Sequence, residues 1–128
     1  MLFRSGALFA PDGRTLAFGQ RLKAAPATNI ALMDFASRQV RLLTQETAPD
    51  QSWNVVAFTA DGRSLIANRA NFAGTEGSVW RIDVATGAAT PLTAPKGAYI
   101  LASDVTPDGG LVAITAEQAD GKIGRAHG

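Results

Sequence analysis

Phe9, Ala10, Pro11, Asp12, Gly13, Arg14, Thr15, Leu16 is written a second time as Phe58, Thr59, Ala60, Asp61, Gly62, Arg63, Ser64, Leu65. A looser third copy is Val105, Thr106, Pro107, Asp108, Gly109, Gly110, Leu111, Val112. Each copy places turn chemistry between two runs of strand-forming residues. Pro presets φ, the Asp carboxylate can accept bonds from nearby backbone N–H groups, and Gly takes the positive φ that other residues resist. Asp and Gly recur in all three copies while Pro11 gives way to Ala60, so Pro is the dispensable member. Asp12, Asp61 and Asp108 stand 49 and 47 residues apart, the spacing of repeats that each build one small sheet. The repeat motif is therefore Phe9, Asp12, Gly13, then Phe58, Asp61, Gly62, then Asp108, Gly109, with Phe9 and Leu16 expected to anchor the first turn in a core.

Laying residues 7–44 over residues 56–93 at a constant offset of 49 needs no gap and yields 10 identities in 38 positions, where about three would arise by chance from this composition. Asp34 falls on Asp83, and Leu43, Thr44 fall on Leu92, Thr93. Within one unit four strands are expected: up to Phe9, Thr15 to Arg21, Asn29 to Phe35 and Gln39 to Thr44. The second unit repeats them as Asn54 to Thr59, Ser64 to Arg69, Ser78 to Val84 and Ala88 to Thr93. A third begins with Ile100 to Thr106 and Leu111 to Glu117. The third strands are apolar on both faces, as in Ile30, Ala31, Leu32, Met33, which requires a sheet covered on both sides.

Four short strands per repeat, stacked sheet on sheet, is the propeller pattern. The expected fold is all-β, a partial β-propeller of four-stranded antiparallel blades. Residues 1–53 form the first blade and its linker, 54–97 the second, and 98–121 an incomplete third. A closed propeller needs about four blades or more, so the chain reads as part of a larger protein or as a piece that needs copies of itself, and self-association is expected. Residues 122–128 read as a non-native tail. A third strand falls due near Arg125, yet no strand pattern stands there, and Lys122 to His127 resembles the translation of a sequencing-library adapter.

Composition narrows the function. Twelve basic and eleven acidic residues are spread along the chain for a net charge of +1, so no basic stripe invites nucleic acid. No run of about 18 apolar residues is present to insert in a bilayer. The absence of cysteine removes disulfides, thiolate zinc sites and a cysteine nucleophile together. The only histidine is His127, and there is no nucleophile elbow or phosphate loop. No catalytic residue, metal site or cofactor is expected. The repeated Asp–Gly pairs could suggest calcium, but one carboxylate per turn is too sparse for a hard-cation site. Asp34 and Asp83 read the same way, as turn-bonding residues.

What differs between units is where specificity is expected. The connections of the second and third strands, Leu22 to Thr28 and Ala70 to Gly77, are equally placed and unlike in sequence. Arg69, Asn71 and Phe72 are the candidate loop contacts, although packing is the commoner role for such an aromatic. Trp80 reads as packing between sheets. The hairpin after Asp83 has Gly87 where its counterpart has Arg38, so that first-unit turn should be strained or differently shaped.

The aromatic, small residue, Pro, Asp, Gly, basic residue pattern, the strand ending in Asp34 or Asp83, and the closing Leu43, Thr44 or Leu92, Thr93 together resemble the WD-like propeller repeats of the TolB family, from about Ala7 to Glu117. The resemblance implies a non-catalytic scaffold that binds a protein or small molecule, in the periplasm where TolB proteins act as hubs. Similar repeats form the gating propeller of prolyl oligopeptidase-type serine peptidases, which is the alternative and would permit a cytoplasmic location.

Overall fold

The computed structural model describes residues 7–22, 25–93, 98–106, 111–117 and 123–126. All regular structure among them is β: β1 (Leu8–Phe9), β2 (Thr15–Leu22), β3 (Ala25–Asp34), β4 (Val40–Leu42), β5 (Gln51–Phe58), β6 (Ser64–Asn71), β7 (Gly77–Asp83), β8 (Ala89–Pro91), β9 (Tyr99–Val105), β10 (Leu111–Glu117) and β11 (Ile123–Ala126). Consecutive strands pair antiparallel within three groups: β1–β4, β5–β8 and β9–β11. Between groups the backbone touches through single parallel pairs, Thr28 with Ser52 and Gly77 with Tyr99. These groups are three successive blades, so the chain is a partial propeller. No helix among the described residues is long and apolar enough to cross a membrane.

Strand alternation divides the core in two. Leu65, Ala67 and Ile82 of blade 2 are buried with Ala17, Ile30, Leu32 and Leu43 of blade 1, and Phe58, Trp80 and Val84 pack on them. Ile66 and Val79, each one position away from these rows, face the other way and are buried with Ala102 of blade 3, joined by Val56, Ile100 and Val105. A period of two sends neighbouring residues to opposite faces, and each face meets a different blade.

The turns follow their residues. In the first, Ala10 N–H donates to the Thr15 carbonyl, Gly13 N–H to the Ala10 carbonyl, and Arg14 N–H to Asp12 Oδ1, at 2.8, 2.9 and 2.9 Å. The second repeats this with Thr59, Gly62, Arg63 and Asp61 Oδ1, each bond being 2.9 Å. Gly13 and Gly62 take φ of 71° and 73°. Thr59, in the place of Ala10, adds a hydroxyl donated to Asp61 Oδ1 at 2.7 Å. That bond, followed by the Arg63 N–H, holds the Asp61 carboxyl below its ordinary range. Asp108 and Gly109 lie outside the described residues.

Arg38 and Gly87 occupy turns with the same bonding: Arg38 N–H to the Asp34 carbonyl and Gly87 N–H to the Asp83 carbonyl, 2.7 and 2.8 Å. Arg38 adopts φ 62°, close to the 78° of Gly87, so the first-unit turn keeps its shape and bears the strain. A non-Gly residue there costs roughly 1–2 kcal/mol, offset in part by the greater chain entropy of Gly and by the Arg38 guanidinium lying 5.8 Å from the Phe35 ring centre. Arg38→Gly should therefore leave the unfolding midpoint unchanged or raise it by up to about 1 kcal/mol equivalent. Gly87→Ala should lower stability, because its Cβ would also stand 3.1 Å from the Leu43 carbonyl oxygen. Parallel denaturant titrations compare the two signs.

Three expectations need correction. Strand structure extends into Leu22 to Thr28: β3 starts at Ala25, and Pro26, which has no N–H to donate, falls where the register skips from Arg21–Thr28 to Leu22–Ala25. The chain after Glu117 does form a strand, β11, which pairs with β10 from Glu117–Ile123 to Ile114–Ala126. Backbone groups of β10 left open by β9 find partners there whatever the side-chain pattern, at the place where the repeat spacing puts a third strand. Finally, Phe9 is not a core anchor, being 64% exposed, and Leu16 is half-buried. Phe58, its copy, is half-buried against the first core because blade 1 covers it.

Candidate binding surface

One end of the blades gathers the ends of β2 and β6 with the starts of β3, β5, β7 and β9. The connection of β6 to β7 is organised by Asn71. Its Oδ1 accepts from the N–H groups of Thr75 and Glu76 at 3.0 and 2.9 Å, and its amide donates to Thr75 Oγ1 at 2.7 Å. Gly74 supplies φ 73° for the bend. An amide with this spread of donor and acceptor holds a short loop in one shape. Phe72 N–H donates to the Asp50 carbonyl at 2.8 Å, so the backbone at Phe72 is fixed while its ring is 55% exposed. The Arg21 guanidinium carbon, from the corresponding strand of blade 1, lies 5.9 Å from that ring's centre, within cation–π reach.

Beneath this rim, Glu46 joins the two blades. Its Oε1 accepts from Arg69 Nε at 2.6 Å and from Trp53 Nε1 at 3.3 Å. Asn29 grips the Glu46 backbone from both sides, its Oδ1 accepting from Glu46 N–H at 2.6 Å and its amide donating to the Glu46 carbonyl at 3.1 Å. Thr44 Oγ1 donates to the same Asn29 oxygen at 2.8 Å and accepts from Ile30 N–H at 2.9 Å. Thr93 Oγ1 accepts from Val79 N–H in the same way, which explains why each unit closes on Leu, Thr. Burial pushes the Glu46 carboxyl up, but the Arg69 hydrogen bond, with the Ala48 N–H, the Arg69 charge and the Trp53 N–H, outweighs it and holds the group below its ordinary value.

The three candidate loop residues thus part company. Arg69 is tied to Glu46, Asn71 is spent on its own loop, and Phe72 is presented outward. Asp34 Oδ1 accepts from Ala36 and Ser37, and Asp83 Oδ1 from Ala85 and Thr86, so both carboxylates serve turns. Trp53 and Trp80 meet edge to face with centroids 5.6 Å apart, Trp80 packed on the first core. Glu46 lies in the connection of β4 to β5, outside every repeated motif of the sequence. The neighbouring Trp53 and the apolar rows flanking Arg69 were the available hint that a carboxylate was needed nearby. Among the described residues, no three metal-ligating groups come together.

The strand order, the parallel blade-to-blade pairs and the two inter-blade cores define a β-propeller segment. Its structure is similar to that of TolB from Acinetobacter baumannii, with a TM-score of 0.64 and 22% identity over 95% of this chain and 32% of that one. It is also similar to oligogalacturonate lyase from Vibrio parahaemolyticus (TM-score 0.58, 14% identity, 91% and 29% covered). A protein from Bacteroides ovatus provisionally assigned as a dipeptidyl aminopeptidase IV is a further relative in fold (0.54, 14%, 94% and 22%). No protein-family model and no curated protein matches the sequence. The chain spans about a third or less of the length of these three structures. Proteins of such different names share this fold, and the fold by itself therefore fixes no function.

Proposed function

We propose that this segment is a non-catalytic binding scaffold that recognises a protein partner at the blade end bearing Phe72 and Arg21. The observation that carries this is an aromatic ring held outward on a loop fixed by Asn71 and capped by a guanidinium from the neighbouring blade. Exposed aromatics backed by Arg are the residues on which protein interfaces concentrate their affinity. Rigid backbone beneath them reduces the ordering cost of association. The cleft lined by Gln20, Asn29, Leu42 and Glu46 holds about 210 Å³ and a second, lined by Leu43, Glu46 and Trp53, about 370 Å³, so the choice of a protein partner rests on the Phe72 ring and not on cavity size. Asp12, Asp34, Asp61 and Asp83 serve turns, and Glu46 pairs with Arg69.

The test is selection of peptides from a displayed random library on the immobilised chain, followed by titration of the enriched peptides against Phe72→Ser. Affinity should fall roughly tenfold or more, as for loss of an aromatic anchor, while the unfolding midpoint stays put because the ring is exposed. Peptides that bind both proteins equally would place recognition elsewhere.

A further inference from the structure

The Arg21 guanidinium, 5.9 Å from the Phe72 ring centre, is held by the ring and by nothing that accepts a hydrogen bond. A ring quadrupole attracts a cation without supplying an oxygen, so the planar fork of N–H donors is kept for another group. Among the described residues no carboxylate pairs with Arg21; the ion pair of this end is Glu46 with Arg69. The other arginines at the junction of blades 1 and 2 are spent inside the chain. Arg69 Nε donates to Glu46 Oε1 and Arg41 Nη2 to the Val84 carbonyl, each at 2.6 Å.

The repeat shows that neither Arg21 nor Phe72 is needed to build a blade. An offset of 49 puts Ala70 in the place of Arg21 and Lys23 in the place of Phe72. The alternation along β2 sets Arg21 in the row of Ala17, which faces blade 2. The pair therefore stands between two blades that this chain supplies itself. The backbone beneath it is fixed: Thr28, opposite Arg21, pairs with Ser52, and Phe72 N–H is bonded to the Asp50 carbonyl. Both side chains are nonetheless exposed.

We propose, on the reading of this end as the binding surface, that it recognises a peptide segment in which one carboxylate stands next to an apolar side chain. The carboxylate takes two parallel hydrogen bonds from the Arg21 fork, and the apolar group covers the open part of the Phe72 ring. Fork and carboxylate match in shape, which gives direction as well as affinity. A single carboxylate is the number that fits. Asp50 and Glu76 are exposed at the same end and repel a run of acidic residues. An Asp or Glu side chain and a C-terminal carboxylate present the same chemistry.

Peptides enriched from a displayed random library on the full chain are to be synthesised and titrated against wild type, Arg21→Ala, Arg21→Lys and Phe72→Ser. They should share one carboxylate beside an aromatic or aliphatic residue. Arg21→Ala should weaken them roughly tenfold or more, as for removal of a charged hydrogen-bonding partner, while the unfolding midpoint moves little. Arg21→Lys, which keeps the charge and loses the fork, should restore only part of the affinity. Exchanging the peptide's Asp for Asn or Glu for Gln, or amidating its C-terminus, separates the two sources of the carboxylate. The change that weakens binding to wild type should weaken it no further in Arg21→Ala, and its effect on wild type is a measure that holds even if Arg21→Ala misfolds. Peptides sensitive to Phe72→Ser but not to Arg21→Ala, or tolerant of both carboxylate changes, overturn the proposal and leave the Phe72 surface standing. Peptides indifferent to Phe72→Ser and Arg21→Ala alike overturn both, as does a selection that enriches nothing.

Discussion

Replacing Leu65 by Ala should lower the unfolding free energy by about 3 kcal/mol, and replacing Ile66 by Ala should cost nearly as much. Both side chains are fully buried, and deleting such a group removes its transfer free energy and leaves a cavity, together about 2–5 kcal/mol. The two residues are adjacent in β6 yet belong to different cores. Leu65 lies in the core between blades 1 and 2, and Ile66 in the core between blades 2 and 3. Sharing no partners across the sheet, the two losses should add in the double variant to within about 0.5 kcal/mol. Guanidinium unfolding of the three variants measures all of this. A double variant much milder than the sum would mean that the two faces are one coupled core.

The second large effect is expected at Glu46. Its side chain is 14% exposed and that of its partner Arg69 27%, between the surface pairs worth up to about 1 kcal/mol and the buried pairs whose breakage costs about 3–5. Glu46→Ala, which leaves Arg69 Nε and Trp53 Nε1 without their acceptor, should therefore cost about 2 kcal/mol at neutral pH. The folded-state pKa lies below the ordinary 4.5. The stabilisation is thus fully present above that value and is lost as pH falls through the folded pKa. The stability gap between wild type and Glu46→Ala should be constant from neutral pH down to about 5 and should narrow below 4.5. Asp61 and Asp83 are also held below their ordinary range, Asp83 chiefly by the Thr86 N–H, so both proteins keep an acid-labile component. The difference between them isolates Glu46. A gap that widens in acid would mean that the carboxyl is protonated when folded.

Loop residues were harder to read than turns. Phe72 and Arg69 stand three apart in one stretch of sequence, but one is presented to solvent and the other is drawn under the rim by a carboxylate 23 residues earlier. Asn71 between them answers to its own loop. Glu46 gained its role only when β3, β5 and β6 were brought side by side, since its partners Asn29, Trp53 and Arg69 come from three strands. The strand residues Ala25 to Thr28 and Gln51 to Trp53 were missed for a related reason. They pair with the ends of β2 and β6 in their own blades and meet the next blade through Thr28 and Ser52, contacts that the local alternation of residues does not report.

The turns at Asp12 and Asp61 needed nothing beyond the sequence, because the carboxylate bonds that shape them reach two residues along the chain and the φ of Gly13 and Gly62 is a local preference. The repeat spacing likewise sufficed for the strands of the first two blades, whereas β11 was missed because its residues lack a strand pattern and its place comes from pairing with β10. Only the tertiary structure decided which apolar residues are covered. Phe9 and Phe58 precede the same Asp, Gly, Arg turn and hold the same place in their blades, yet one is exposed and the other packed on a core. Burial depends on what lies across the sheet face, and that is a property of the neighbouring blade and not of the residue's own stretch of chain.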